Sequence, residues 1–316
     1  MKTSFGWLIG DPHLGRKFEV GVPSHRKGER ELEQLALFNQ ELDEPGDMVV
    51  MVGDLFDHPY VPHNVVSAAI AASIAAAMAR PDTTFVHLAG NHDVPRKIDA
   101  TGAFSVFKQA CHLRLPNLHV LTKPEIVDKV AFFPWEWDRS ALDQVKDLKY
   151  ADVKAIIGHW DMASFGGEDL HLAPVAALRD AFGEVPIYSG HYHAARTYTV
   201  QGVDIHGVGS LQPYGHAEDP EGLMYVTVDL EDLDVAAVAD KCVRVRLRPG
   251  EVLPDGVDCR SIIGQRVAGD AAPESGQEIG LDDFDWAGIV KRALEPLDPG
   301  VKAFIEDRLP SHGSSE

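Results

Sequence analysis

Five apolar stretches of this chain each run into a glycine and then into side chains that bind metal ions. That repeated arrangement narrows the folds open to it more than any other feature. Leu8-Ile9-Gly10 leads into Asp11-Pro12-His13, and Val49 to Val52 leads into Gly53-Asp54-Leu55-Phe56-Asp57. Thr84 to Leu88 leads into Gly90-Asn91-His92-Asp93, Ala155 to Ile157 into Gly158-His159, and Val185 to Tyr188 into Gly190-His191-Tyr192-His193. Short apolar runs bounded in this way read as buried strands. In open α/β sheets ligands collect beyond the carboxyl ends of the strands. A glycine there lets the backbone turn sharply and come close to a ligand, which a Cβ would obstruct.

Between these strands the pattern is helical. Leu32, Leu35 and Phe38 or Leu42 recur at helical spacing in a helix over about 27–41. The uncharged stretch His58 to Ala79 opens with two prolines and is mostly alanine. It reads as an amphipathic helix with Val66, Ile70, Ile74 and Met78 on one stripe, not as a membrane span. Further helices are expected over 104–111, 139–149 and 174–182, and short strands of a second sheet at His119–Leu121, Ile126–Val127 and Val130–Phe133. After His193 the segments 196–200, 203–207, 224–228 and 243–247 read as antiparallel strands. The expected fold is α/β (α+β): a two-sheet sandwich flanked by helices, with a short C-terminal helical tail. Residues 1–264 form the expected catalytic domain, the Gly-, Ala-, Pro- and acid-rich stretch 265–283 a linker, and 284–316 the tail.

Composition excludes several classes. The N-terminal apolar stretch Phe5 to Ile9 is too short for a signal peptide. Three cysteines without a C-x-x-C pair suit a reducing cytoplasm. With 29 basic residues against 49 acidic ones the net charge is −20, which argues against a broad nucleic-acid-gripping face. Any polyanionic substrate must be held locally.

The collected side chains Asp11, His13, Asp54, Asn91, His159, His191 and His193 offer oxygen and imidazole donors and no thiolate. That set suits Mn²⁺, Fe²⁺ or Zn²⁺, and Mn²⁺ is the first expectation. Seven ligands exceed what one ion needs. With Asp54 bridging, two divalent ions fit, the arrangement that clamps the attacking and leaving oxygens of a phosphoryl transfer and makes hydroxide available near neutral pH. His92 is left over to protonate the leaving oxygen as a general acid, with Asp57 to hold and orient its imidazole.

Through D-P-H (11–13), G-D-x-x-D (53–57), G-N-H-D (90–93), G-H (158–159) and G-H-x-H (190–193), the chain resembles the calcineurin-like metallophosphoesterases. The Gly-Asp-Leu-Phe-Asp form, and the Gly209-Ser210 loop followed by His216-Ala217-Glu218, resemble the SbcD-type DNA repair and recombination nucleases of bacteria and phages. This resemblance covers about residues 4–220. It implies that Asp11, His13, Asp54 and His193 hold one ion while Asp54, Asn91, His159 and His191 hold the other. His92 is then the proton donor and Asp57 its partner. Pro12 departs from the commoner small or polar residue, at a position that is not a ligand.

For substrate, phosphomonoesterases of the superfamily place Arg after the second Asp of G-D-x-x-D, where this chain has His58. Arg16, Lys17, Arg26, Lys27 and Arg30 form a locally basic segment that could contact a DNA backbone, or simply be a solvated loop and helix start. Trp135, Trp137 and Trp160 could stack bases but are expected in the core. His171, His206 and His216 remain without a role, His216 being the best placed. The tail, with Phe284, Trp286, Ile289, Val290, Val301, Phe304, Ile305 and Leu309, resembles the segment that clasps an SbcC-type coiled-coil ATPase; packing on its own domain is the other reading. The expected activity is cytoplasmic, dimetal-dependent hydrolysis of DNA, exonucleolytic or endonucleolytic, by in-line attack of a metal-bound hydroxide. The expected partners are DNA and an SbcC-type ATPase, a homodimer is compatible, and no membrane is involved. The alternatives are a small-molecule or cyclic-nucleotide phosphodiesterase or phosphatase, and an inactive DNA-end scaffold. The scaffold would lack a ligand or proton donor, and none is missing.

Overall fold

The computed structural model describes residues 1–97, 100–112, 115–148, 152–163 and 170–267. The chain divides after Val267; residues 268–316, where most of the expected linker and both expected tail helices fall, lie outside the described residues.

The first unit is a four-layer α/β/β/α sandwich built on alternation along fully buried strands. β1 (Trp7–Ile9), β2 (Met48–Met51), β3 (Thr84–Leu88) and β4 (Leu118–Leu121) form a parallel sheet in that order. The second sheet contains β5 (Glu125–Val127), β6 (Val130–Phe133), β7 (Ala155–His159), β8 (Ile187–Gly190), β9 (Thr197–Val200) and β10 (Val203–Gly207), in the order β5-β6-β7-β8-β10-β9. Leu8, Val50, Val86 and Leu88 of the first sheet meet Val130, Phe132, Ala155 and Ile157 of the second between the sheets. Their sequence neighbours point outwards: Val49, Met51 and Phe85 under three helices, and Ala131, Phe133 and Ile156 under two. Strands covered on both faces carry apolar residues at every position, which is why they appear in the sequence as unbroken runs.

Helices α1 (Glu29–Leu42), α2 (His63–Ala79) and α3 (Ala103–His112) cover the first sheet, and α4 (Ala141–Asp147) and α5 (Val175–Phe182) the second. Their buried faces differ from expectation. Leu32 and Met78 are exposed, whereas α1 buries Arg30, Gln34, Phe38 and Leu42, and α2 buries Val66, Ala69, Ser73, Ala76 and Ala77. The small side of α2 faces inwards, and Ile70 and Ile74 pack at its margin. Among the described residues no helix is long and apolar enough to cross a membrane.

Two corrections concern strands. The segment at His119–Leu121 joins the first sheet as β4, beside β3, not the second. Of the four segments expected to be antiparallel after His193, only β9 and β10 pair that way. Past them, β11 (Tyr225–Asp229), β12 (Cys242–Leu247) and β13 (Ser261–Arg266) form a third, wholly parallel sheet with its own small core around Val243, Val245, Val257 and Cys259. The stretches joining these strands, 230–241 and 248–260, are long enough for crossovers, which parallel pairing requires. β13 continues to Arg266 and so takes in the first two residues of the expected linker.

Candidate metal centre

The carboxyl ends of β1, β2, β3, β7 and β8 converge at one edge of the sandwich, so both sheets contribute. Asp11, His13, Asp54 and His159 are buried, and Asn91, His191 and His193 are half-buried around them. Three groups emerge, Asp11 with His13 and His193, Asp54 with His159 and His191, and His13 again with Asp57 and His92, the donor atoms of each lying within 4.8 Å of one another. Asp54 Oδ2 lies 3.7 Å from His13 Nε2 and 3.4 Å from His159 Nε2, between the groups, where a bridging ligand belongs. Asn91 Oδ1 lies 2.9 Å from both His159 Nε2 and His191 Nδ1. All seven expected ligands are thus brought together.

Local backbone geometry explains the glycines. Gly53 has φ +135°, and a Cβ there would fall 1.9 Å from His159 Nδ1; one on Gly90 would fall 2.1 Å from Asp54 Oδ1. Three ligands themselves sit at positive φ, His13 at 47°, Asp54 at 48° and His191 at 76°. Such backbone costs about 1–3 kcal/mol per residue and persists at functional sites where surrounding contacts enforce it.

The enforcing contacts are mostly residues that sequence reasoning did not single out. The Asp93 carboxylate accepts from the backbone N–H of Leu55 (3.1 Å), Phe56 (2.9 Å) and Gly90 (2.9 Å), locking the second and third ligand loops together. Gln34 Nε2 donates to the carbonyls of Pro12 and His13, and the Tyr214 hydroxyl to that of Pro12 at 2.6 Å, so α1 and the last loop hold the first. The His191 N–H donates to Asp11 Oδ2 at 2.7 Å, tying the two sheets.

Hydrogen bonds also fix the imidazoles. A carbonyl can only accept, so His159 donates from Nδ1 to Val52 O (3.1 Å) and turns Nε2 to the centre. Asp161 takes the Nε2–H of His191 at 2.9 Å, and Glu218 the Nδ1–H of His193 at 3.0 Å. Carboxylate partners of this kind orient metal-binding histidines and raise their basicity. Asp161 lies two residues after His159, and Glu218 lies in the 216–218 segment that also holds His216. His216 instead packs on Tyr225, and His206 on Tyr188, while His171 stacks on Trp135 at 4.0 Å beside His191.

The donor set fits cations. His13 Nε2 and His193 Nε2 face each other at 3.0 Å, and His159 Nε2 faces two oxygens. Asp11 Oδ1 and His13 Nδ1 are buried with no hydrogen-bond partner among the described residues. Imidazole nitrogens and carboxylate oxygens gathered this closely in a buried site need shared protons or metal cations between them. Proton affinities tell the same story. Burial, reinforced by Asp54, raises the Asp11 carboxyl to about 7 although nearby histidines oppose it. Burial lowers His13 to about 3. For Asp54 burial works upwards, but His159 and its neighbours hold the carboxyl well below its usual range, and the same pairing raises His159 to about 9 against its own burial.

A family model for calcineurin-like phosphoesterases matches residues 7–216. The chain belongs to that family. A search of curated proteins finds no match. The family is dimetal-dependent, and this member is accordingly a metal-dependent phosphoester hydrolase with candidate metal-binding groups in place. Cys111, Cys242 and Cys259 are free, buried and outside the centre.

The remaining expected residues separate. His92 stands beside the centre, its N–H donating to Asp54 Oδ1 at 2.8 Å. Its Nδ1 bonds the main-chain carbonyl of Asp57 at 2.5 Å, so the expected Asp57 carboxylate is not what holds it. Of the basic segment, Arg16 leans over the Tyr214 ring (4.7 Å) and lies 3.5 Å from Asp57. Lys17 and Lys27 are exposed. Arg26 is taken up by Glu29 at 2.8 Å and by the carbonyl of Ala239. Arg30 is buried, donating to Tyr225 Oη and Pro213 O with its guanidinium over Phe18, so it is engaged within the fold, although it also lines the cavity shared by Arg16 and Lys17. Trp135 and Trp160 are buried as expected, whereas Trp137 is only partly so.

Proposed function

We propose that the chain hydrolyses DNA phosphodiester bonds in repair or recombination, as a cytoplasmic SbcD-type nuclease subunit that uses Mn²⁺ and works with an SbcC-type ATPase. The observation that carries the reading is the placing of cations on both flanks of the ligand cluster in a chain of net charge −20. Arg16, Lys17 and Arg244 line a cavity beside Tyr214, whose ring adjoins His13 and His193. Arg96, Lys97 and Lys108 line another beside Trp135, whose ring adjoins His159 and His191. A polyanion that continues past the reacting phosphate in both directions needs positive charge on both sides, while a terminal phosphate needs it on one.

Asp11, His13, Asp54 and His193 would hold one ion, and Asp54, Asn91, His159 and His191 the other. Bound there, the ions supply Lewis acidity toward phosphoryl oxygens and bring the pKa of water towards neutrality. The chain supplies the rest. His92, anchored through Nδ1 on Asp57 O, presents Nε2 to the leaving oxygen and delivers a proton there. Arg16 positions a flanking phosphate.

A small-molecule phosphodiesterase would use the same centre, and the cavity beside Trp135, about 840 Å³, is large enough for a free nucleotide. End-labelled duplex, hairpin and single-stranded DNA incubated with Mn²⁺, with and without the ATPase and beside a cyclic nucleotide and a chromogenic diester, separates the two. Shortened oligonucleotides are expected; turnover confined to the small diesters overturns the nuclease reading. Deleting 284–316 should spare the chromogenic diester and abolish ATPase binding, and unchanged binding returns the tail to its own domain.

A further inference from the structure

Beside the proton donor the chain builds a cavity whose walls are aromatic and cationic together. We infer that it receives the unpaired base of the nucleotide adjoining the scissile phosphate, stacked on the Arg96–Trp137 pair. This rests on the nuclease reading above.

The cavity encloses about 840 Å³ between the loop after His92, helix α3 and the segment that follows β6. Its position relative to the metal ligands is fixed by backbone. The N–H of Trp135 donates to Ala89 O at 2.9 Å, two residues before Asn91. Trp137 Nε1 donates to Val94 O at 2.8 Å, two residues after His92. Trp135 then reaches the centre itself, 5.3 Å between its ring and that of His191. A group bound here is therefore held at a set distance from the scissile bond, as productive positioning requires.

Its chemistry matches a nucleotide in both halves. The Arg96 guanidinium lies over the Trp137 indole, 4.9 Å from its centroid, and the two rings Trp135 and Trp137 meet edge to face at 5.2 Å. Guanidinium and indole planes are the surfaces on which bases stack whatever their identity. Trp135 forms part of the cavity wall, and its Nε1 is buried with no partner among the described residues. For the phosphate there are three cations. Lys108, whose ammonium burial pushes below its ordinary pKa, donates to Thr122 Oγ1 at 2.6 Å. Neither it nor Arg96 nor Lys97 forms an ion pair among the described residues. Of the acids nearby, Asp93 is spent on three backbone N–H groups, Glu136 lies 3.8 Å from Arg139, and Asp138 stays exposed at the rim. A base stacked in a duplex cannot enter such a site, so its occupant comes from a single-stranded or frayed end.

The test uses the full-length, Mn²⁺-loaded protein on two single-stranded oligonucleotides, alike except that one carries an abasic residue next to the cleaved phosphate. The wild type should prefer the base-bearing strand by about tenfold or more in kcat/KM, mainly through KM, in line with base–aromatic stacking. Trp137→Ala should lose that preference, Trp137→Phe retain it, and the exposed Arg96→Ala reduce it severalfold. Equal cleavage of both strands by the wild type, or a preference that survives Trp137→Ala, removes this site and leaves the nuclease reading standing. Failure to cleave either strand while a small diester is turned over removes both.

Discussion

His92 is held by the backbone of Asp57, not by its side chain: the carbonyl lies 2.5 Å from Nδ1, while the carboxylate lies 3.6 Å from His13 Nδ1 and 3.5 Å from Arg16. Asp57→Asn keeps that carbonyl and should stay within about tenfold of wild-type kcat, whereas His92→Ala should lose about 10²- to 10⁴-fold, the range of general-acid catalysis. Metal analysis beside the kinetics decides the role of His92. Ions retained in His92→Ala support a proton donor, and ions lost make it a ligand.

Asp161 and Glu218 act on the centre through His191 and His193. Asp161→Asn and Glu218→Gln should each weaken Mn²⁺ binding about 10- to 100-fold, as loss of such partners does elsewhere, with little change in melting temperature of the metal-free protein. Calorimetric titration of the two variants measures it.

Arg30 and Arg16 sit near each other in sequence but should part in function. Removing the Arg30 side chain breaks its bonds to Tyr225, Pro213 and the Phe18 face in a buried setting, so Arg30→Ala should cost about 3 kcal/mol or more of stability. DNA affinity of the folded fraction should be unchanged. Arg16→Ala should do the reverse, raising KM for oligonucleotides at near-constant stability. Denaturation curves and KM values for both variants check the division.

His87, in β3, is buried between Phe38 and Phe107 with neither ring nitrogen hydrogen-bonded, and burial lowers its pKa from 6.5 to about 3. Between those values the unfolded chain binds the proton and the folded chain does not. The stability that rests on neutral His87 is thus complete above about pH 6.5 and declines as the pH falls towards 3. His87→Leu should flatten the loss of stability over that window, by up to about 1.4 kcal/mol per pH unit relative to wild type. Urea denaturation of both proteins at pH 7, 6, 5 and 4 gives the comparison.

The ligands were legible because each ends a strand buried on both faces and follows a glycine, a local pattern that folding carries directly to one edge of the sandwich. The residues that steady them were not. Gln34 and Arg30 lie on a helix where polar side chains ordinarily face water, and their partners at Pro12, Pro213 and Tyr225 are distant in sequence or on other elements. Asp93 and Asp161 stood beside assigned ligands, but only packing reveals that one clamps backbone N–H groups and the other a ring nitrogen. The third sheet is hidden in the sequence because crossovers without a helix of their own resemble hairpin loops; 230–241 carries only a short 3₁₀ turn. On α2 the large side chains mark the expected stripe, whereas it is the small residues Ala69, Ser73, Ala76 and Ala77 that lie buried, with Val66.

The central claim is that seven side chains from both sheets hold a pair of divalent ions with Asp54 between them. Titrating the metal-free, full-length protein with Mn²⁺ while counting bound ions tests it most directly. Two ions per chain in the wild type and at most one in Asp54→Asn are expected. A wild type that binds one ion or none, or an Asp54→Asn variant that still binds two, contradicts it.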